Sequence, residues 1–266
     1  MIDVGSKYLF LFMTARQVHP YHLVDVSPWP FLMSVGIFSF AMTLVSWLTH
    51  YPVHTAYTIF PGMLLIAFLW WRDVVREAKG GFHTATVQKG IMIGFLLFLL
   101  SEIMLFVSFI WAYLHSSLAP TVELGSQWPP VGIESLNPWS LPLVGTTLLL
   151  ASGLTITLSH HAMIKGDKAT TLLNLLFTIV LGGGFIFLQY TEYMYCSYQI
   201  ADSVFGTVFY LLTGLHGLHV IAGVSFLVVC FVRLSMDQLT SEHHLGYLFA
   251  IWYWPSLNAL IGCEIC

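Results

Sequence analysis

Seven apolar stretches, each long enough to cross a bilayer, follow one another along the chain at 31–48, 55–71, 91–114, 141–158, 172–190, 204–232 and 245–263. A hydrocarbon core about 30 Å thick takes roughly 20 apolar residues of helix, so runs of this kind leave little sequence for anything else. Of the 266 residues, 57% are hydrophobic and 8% are charged, against about a quarter charged in an ordinary soluble domain. So few charges could not cover the surface of a soluble protein this size, and lipid is the natural solvent. The sequence predicts an all-α integral membrane protein, with residues 1–266 forming a single membrane domain of seven transmembrane helices.

The basic residues agree with that count. Lys7 and Arg16 precede the first span; Arg72, Arg76, Lys79 and Lys89 lie between the second and third; Lys165 and Lys168 lie between the fourth and fifth; Arg233 follows the sixth. With seven crossings all of them fall on one side, the asymmetry of the positive-inside rule. The N-terminus is expected to face the cytoplasm or matrix and the C-terminus the opposite side. Trp29, Trp47, Trp70, Trp71, Trp128 and Trp139 stand at or near span ends, where indole rings favour the interface. The net charge of −4 comes with no basic patch, so nothing points to a nucleic-acid partner. The opening residues read as neither a secretory signal nor a transit peptide. Insertion is therefore expected to be directed by the spans, or the protein to be made in the compartment that houses it.

Glu102 is the one acid inside a predicted span, near the middle of the third. An ionised group at that depth costs about 2.5–3.5 kcal/mol on insertion scales, so Glu102 should face protein or a cavity, where its carboxyl can be held protonated. Two readings stand side by side: a carboxyl that handles protons or gates, and a neutral acid hydrogen-bonded to a neighbouring helix. No second acid sits at that depth to extend a proton chain. His216 and His219 lie on one helical face of the sixth span, a spacing that a metal or haem pair could use. A bis-histidine haem takes its ligands from opposite sides, so both read as structural. His160 with His161, and His243 with His244, are adjacent pairs at span ends expected to point in different directions. Cys230 reads as a small core residue, and Cys263 and Cys266 as an inert C-E-I-C tail without further ligands nearby. The 114–133 loop reads as an ordered surface loop on the side without basic residues. It lacks a phosphate cradle, a nucleophile elbow and a Cys/His cage, so no active site assembles within the chain. Gly182, Gly183 and Gly184 in the fifth span fit close helix packing better than unwinding.

Several of these residues sit in longer strings: H-P-Y-H-L-V with S-P-W-P (19–30), W-W-R-D-V-V-R-E (70–77), V-Q-K-G (87–90), S-E-I-M-L-F (101–106) and W-A-Y-L-H-S-S-L-A-P-T-V-E-L-G (111–125). Further on come W-P-P-V-G-I (128–133), L-N-P (136–138), S-H-H-A (159–162), Q-Y-T-E-Y (189–193), T-G-L-H-G-L-H-V (213–220), E-H-H-L-G-Y (242–247) and W-Y-W (252–254). In these strings, and in their order, the chain closely resembles the mitochondrial-type cytochrome c oxidase subunit III family. The resemblance implies a fold in which helices 1–2 and 3–7 form a V-shaped cleft filled with lipid. It implies a non-catalytic core subunit of complex IV that stabilises the catalytic subunit and supports proton uptake during electron transfer from cytochrome c to oxygen. The expected partners are subunits I and II, which carry haem a and copper, accessory subunits, and a respiratory supercomplex. The chain itself is expected to hold no metal and no redox centre, only phospholipids such as cardiolipin, phosphatidylethanolamine or phosphatidylglycerol. Its expected place is the mitochondrial inner membrane, N-terminus in the matrix and C-terminus in the intermembrane space.

Carried over by motif, Glu102 matches the family's carbodiimide-sensitive buried carboxyl. Trp70, Trp71, Arg72, Arg76 and Glu77 match lipid-binding positions, and Arg233 is assigned as a cardiolipin contact, its spacing to His243 slightly off the family pattern. Two departures stand out. Leu248 occupies a place where the family usually has a glutamate, and the family's long aromatic-rich segment after W-Y-W is replaced by P-S-L-N-A-L-I-G-C-E-I-C. Pro255 is expected to kink the seventh helix or break its hydrogen bonds. The competing readings are the equivalent subunit of a quinol oxidase, a free-standing seven-span transporter or receptor, and a b-type cytochrome.

Overall fold

The computed structural model describes residues 19–50, 56–241 and 243–258. Lys7, Arg16, Glu242, Cys263 and Cys266, with the last residues of the seventh predicted span, lie outside them. Among the described residues seven α-helices follow one another: α1 (Trp29–Leu48), α2 (Ala56–Lys79), α3 (Ala85–Leu118), α4 (Leu141–Ile164), α5 (Lys168–Tyr195), α6 (Val204–Ser235) and α7 (Leu245–Asn258), with one short 3-10 turn at Val122–Leu124. The first six are long and apolar enough to cross a membrane; α7 has 14 residues. The longest, α3, has 34 residues, about 51 Å at 1.5 Å per residue. That exceeds a hydrocarbon core of about 30 Å, so its polar ends stay helical beyond the apolar run. By its contacts the chain divides into two compact units, Met1–Met92 and Ile93–Cys266.

In the first unit α1 and α2 run antiparallel. Trp29, at the start of α1, donates its indole N–H to Asp73 Oδ2 near the end of α2 at 2.8 Å, and further along Gly36 backs onto Met63. Proline in the first turn of α1 costs no helical hydrogen bond, because that N–H has no partner anyway. Thr43 is the one buried residue of these two helices among the described side chains; their large apolar side chains, Phe31, Phe38, Leu64 and Phe68 among them, face outward. Helix α2 ends in a glycine turn. Gly81 takes a left-handed φ of 82°, and the Phe82 N–H reaches back to the Glu77 carbonyl at 3.2 Å, the closure that satisfies a helix's last carbonyls. The turn returns residues 83 and 84 to the face of α2, where the Thr84 hydroxyl donates to the Pro20 carbonyl at 2.6 Å.

The second unit is held by seams of small and polar residues. On α4 the buried positions include Gly145, Leu149, Ser152, Ile156, Ser159 and Met163; on α5 they are Thr171, Leu175, Thr178, Gly182 and Phe185. Alternating steps of four and three keep one narrow stripe facing a partner helix, and small side chains let the backbones approach where lipid supplies no hydrophobic drive. Helix α6 repeats the stripe through Thr213, Val220, Leu227 and Leu234, with buried Cys230 beside it. Across the seams, Thr155 and Thr178 share a hydrogen bond of 2.8 Å, and Ser159 donates to the Thr171 carbonyl at 2.7 Å. Helix α7 lies antiparallel on α4: Tyr247 donates to Ser159 at 2.6 Å and Trp254 to Ser152 at 2.8 Å. The Trp254 ring fills the notch left by Gly182 and Gly223, where an added Cβ would stand 2.7 and 3.0 Å from it. The close-packing reading of the glycine run therefore holds at Gly182, and α5 is continuous through it. Helix α7 also stays helical through Pro255, losing one N–H donor while Tyr253 and Trp254 remain buried.

Candidate functional site

Glu102 lies on α3, half-buried, and its Oε2 meets Nε2 of His219 on α6 in a short hydrogen bond. The other ring nitrogen of His219 faces the Leu215 carbonyl at 2.7 Å. A carbonyl only accepts, so Nδ1 must carry a proton. The remaining proton lies between Nε2 and the carboxyl: on Glu102 the pair is acid plus neutral imidazole, on His219 it is carboxylate plus imidazolium. Both forms keep the same net charge and the same hydrogen bond, so the pair can relocate a proton without leaving a lone charge among apolar helices. Phe106, one turn beyond Glu102, presents an edge to His219 at 5.1 Å and to His216 at 6.5 Å, and Phe185 closes on His216 at 5.5 Å. His216 and His219 do share one face, as their spacing implies, but both nitrogens of His219 are engaged and His216 sits in an aromatic box. The partner of Glu102 is what sequence reasoning missed: it is 117 residues away, and no spacing rule reaches that far.

The proposed lipid-binding positions gather near the end of α2. Trp71 is exposed and Trp70 half-buried. Arg72 grips Asp73 Oδ1 through Nε and Nη2, both at 3.1 Å, and Arg76 Nη1 stands 3.5 Å from the same oxygen. Asp73 thus joins both guanidiniums to Trp29. Each guanidinium has five N–H donors, so both keep donors for an anionic group after Asp73 is satisfied. Glu77, one turn on, pairs instead with His22 at 3.3 Å, and the His22 and His83 rings lie 5.4 Å apart. His83 is held below the ordinary histidine range by burial first and by the neighbouring His22 second, with Glu77 pulling the other way. Asp73 carries the centre of this arrangement, yet in the sequence it is one letter of the W-W-R-D-V-V-R-E string.

In the second unit Arg233 closes α6, where a cation suits the exposed carbonyls of a helix C-terminus. Its guanidinium lies against Gly246, and its Nε is buried with no hydrogen-bond partner among the described residues. The adjacent histidine pairs do not simply diverge. His160 packs on His244 at 5.9 Å and Tyr247 at 6.5 Å, while His161 turns its Nδ1 to the Thr157 carbonyl at 2.8 Å. Towards the opposite ends of the helices lies a cavity of about 290 Å³, lined by Trp128, Gln189, Glu192, Tyr193 and Thr213 among others. Thr213 donates to the Phe209 carbonyl at 2.8 Å, so it accepts from the Tyr193 hydroxyl at 2.5 Å. Trp128 packs edge-on against Tyr113 at 5.6 Å and against Phe205 at 5.2 Å, so it orders the loop instead of standing free in the interface. In that loop region burial pushes the Tyr198 hydroxyl far above its usual range.

Comparison with known proteins places these residues in context. The family described as cytochrome c oxidase subunit III matches residues 19–261. The chain is 51% identical over 260 residues to the cytochrome c oxidase subunit 3 of Allomyces macrogynus, covering 96% of this chain and 94% of that one. Against the protein of the same name from Coturnix japonica it is 48% identical over 247 residues, with 92% and 95% covered. Against that of Lumbricus terrestris it is 45% identical over 246 residues, again with 92% and 95% covered.

Proposed function

Because the chain belongs to the cytochrome c oxidase subunit III family, and so is part of complex IV, we propose that it serves the oxidase as a non-catalytic core subunit that binds phospholipid and supports proton uptake. It is a multi-pass membrane protein. In this proposal haem a and copper stay in subunits I and II, and the work of this chain is to stabilise the catalytic subunit, hold lipid and keep a proton available. Its membrane is the mitochondrial inner membrane. The N-terminus lies in the matrix, in keeping with basic residues at the C-terminal ends of α2, α4 and α6 and the N-terminal ends of α3 and α5. The lipid-filled V of helices 1–2 and 3–7 belongs to the same proposal and rests on family membership.

The observation that carries the proton part is the Glu102–His219 pair. A carboxyl with a basic partner, walled by phenylalanine, is one that can gain or lose a proton at little cost in charge separation. The lipid part rests on Arg72 and Arg76, which Asp73 orients while leaving donors over. Exposed Trp71 beside them offers an apolar face to an acyl chain, as a phosphate head group and its stem require; Arg233, in the second unit, is a separate candidate contact for an anionic head group. Two substitutions in the whole complex test the proposal. Glu102→Gln should leave the haem content of the assembled oxidase unchanged and modestly slow proton-coupled turnover; loss of the complex would make the carboxyl structural. Arg72→Ala should lower the phospholipid that co-purifies, read by mass spectrometry, and unchanged lipid would remove the lipid assignment.

A further inference from the structure

We propose that His22, Glu77 and His83 form a site for a divalent transition-metal ion of the zinc class, which clamps residues 19–28 to the turn between α2 and α3. The three residues each offer one donor atom, and these atoms all lie within 4.8 Å of one another. A tetrahedral zinc with bonds of about 2.0–2.1 Å holds its donors about 3.3 Å apart. His22 Nε2 and Glu77 Oε2 are already 3.3 Å apart. The His83 ring, tilted 58° to that of His22, has only to swing inward to complete a face of three donors. Two imidazoles and one carboxylate suit zinc and its neighbours in the first transition row, whereas magnesium and calcium prefer oxygen throughout. The fourth position is left to water.

Three features point the same way. Backbone geometry aims the donors: the Gly81 turn brings His83 back to the face of α2, the Gln88 side-chain amide donates to the His83 carbonyl at 2.9 Å, and the Thr84–Pro20 bond holds the irregular segment that carries His22. Two imidazoles, moreover, flank a single carboxylate, three donors that one dication can bind together. His22 is exposed, which leaves an approach from solvent. The site lies wholly within the first unit and does not depend on the Glu102–His219 pair. It does share Glu77 with the proposed lipid positions, so the two must be separated by measurement.

The test uses the intact, detergent-purified oxidase, stripped with chelator and titrated with zinc alone, bound metal being counted by equilibrium dialysis and elemental analysis. Wild-type complex should take up one more zinc ion than complexes carrying His22→Gln or His83→Gln, with affinity at that site weakened at least about tenfold in the variants. Zinc should also slow amide exchange over residues 19–28 in the wild type and leave it unchanged in both variants. His22→Gln, at an exposed position outside the helices, preserves the test should His83→Gln prevent assembly. Equal zinc uptake by wild type and variant, or zinc binding without slowed exchange in 19–28, would overturn the proposal. Phospholipid content in the same samples bears on the lipid reading alone, so either reading can fail without the other.

Discussion

The two units of the chain use opposite means to hold helices together in lipid. In the first, none of the α2 span and 6% of the α1 span is buried within the chain; the helices are latched at their polar ends, by Trp29 on Asp73 and by the contacts of His22 and Thr84. In the second, 33% of the α6 span is buried, and the latches are internal: Ser152, Ser159, Thr171 and Thr178 bonded across seams that Trp254 and Tyr247 close. The contrast teaches where membrane helices get their cohesion once the hydrophobic effect is absent between them. It comes from close packing and a few hydrogen bonds, and a helix pair with little of either along its length depends on what happens at the interface.

Trp254→Ala should break the comparison most visibly. It empties the notch against Gly182 and Gly223 and deprives Ser152 of its donor; losses of about 3–5 kcal/mol accompany large aromatic deletions in well-packed cores. The thermal midpoint of the assembled complex should fall sharply, and an unchanged midpoint would mean that the seams do not carry the second unit. Ser152→Ala should cost less, about 1–2 kcal/mol, because it removes one acceptor and leaves a buried indole N–H unsatisfied. A smaller shift of the same midpoint measures it.

Acid should produce the smallest effect, read at the turn that follows α2. The folded value of His83 lies below the ordinary 6.5, so the proton is taken up more readily when the turn is open. The stabilisation is complete above that ordinary value and is lost as pH falls through it towards the folded value. Amide exchange over residues 80–84 should therefore quicken on acidification, while the mid-helix seam around Ser152 and Thr178 stays protected. Exchange that quickens equally in both units would erase the distinction.

The helices were legible because an apolar run of some 20 residues has few other fates in a membrane protein. Their buried faces were harder to read. In α4 and α6 the one Asp, Glu, Lys or Arg is Arg233 at the end of α6, so the usual contrast between a wet and a dry side disappears. A signal was nevertheless present: Gly145, Ser152 and Ser159 recur at steps of seven, as do Thr171 and Thr178, small or polar residues marking the seam that apolar ones conceal. Glu102 announced itself by being charged among leucines, but its partner is chosen by which helix stands beside α3. Likewise Asp73 is one letter of the W-W-R-D-V-V-R-E string and in the fold is the joint for Trp29, Arg72 and Arg76. Pro255 takes one N–H donor out of α7, as its place in the sequence implies, yet the helix runs on to Asn258, where Tyr247 and Trp254 fix it on α4.

The central claim, that Glu102 and His219 act together as one proton-holding unit of the oxidase, is most directly tested by a double-mutant cycle on turnover. Glu102→Gln, His219→Gln and the pair combined would be compared in fully assembled complex. If the two side chains share a single proton, each single change should slow oxygen reduction by a similar factor and the double change by no more than either alone, since coupled residues are not additive. Slowing that multiplies in the double variant would show two independent groups and contradict the account.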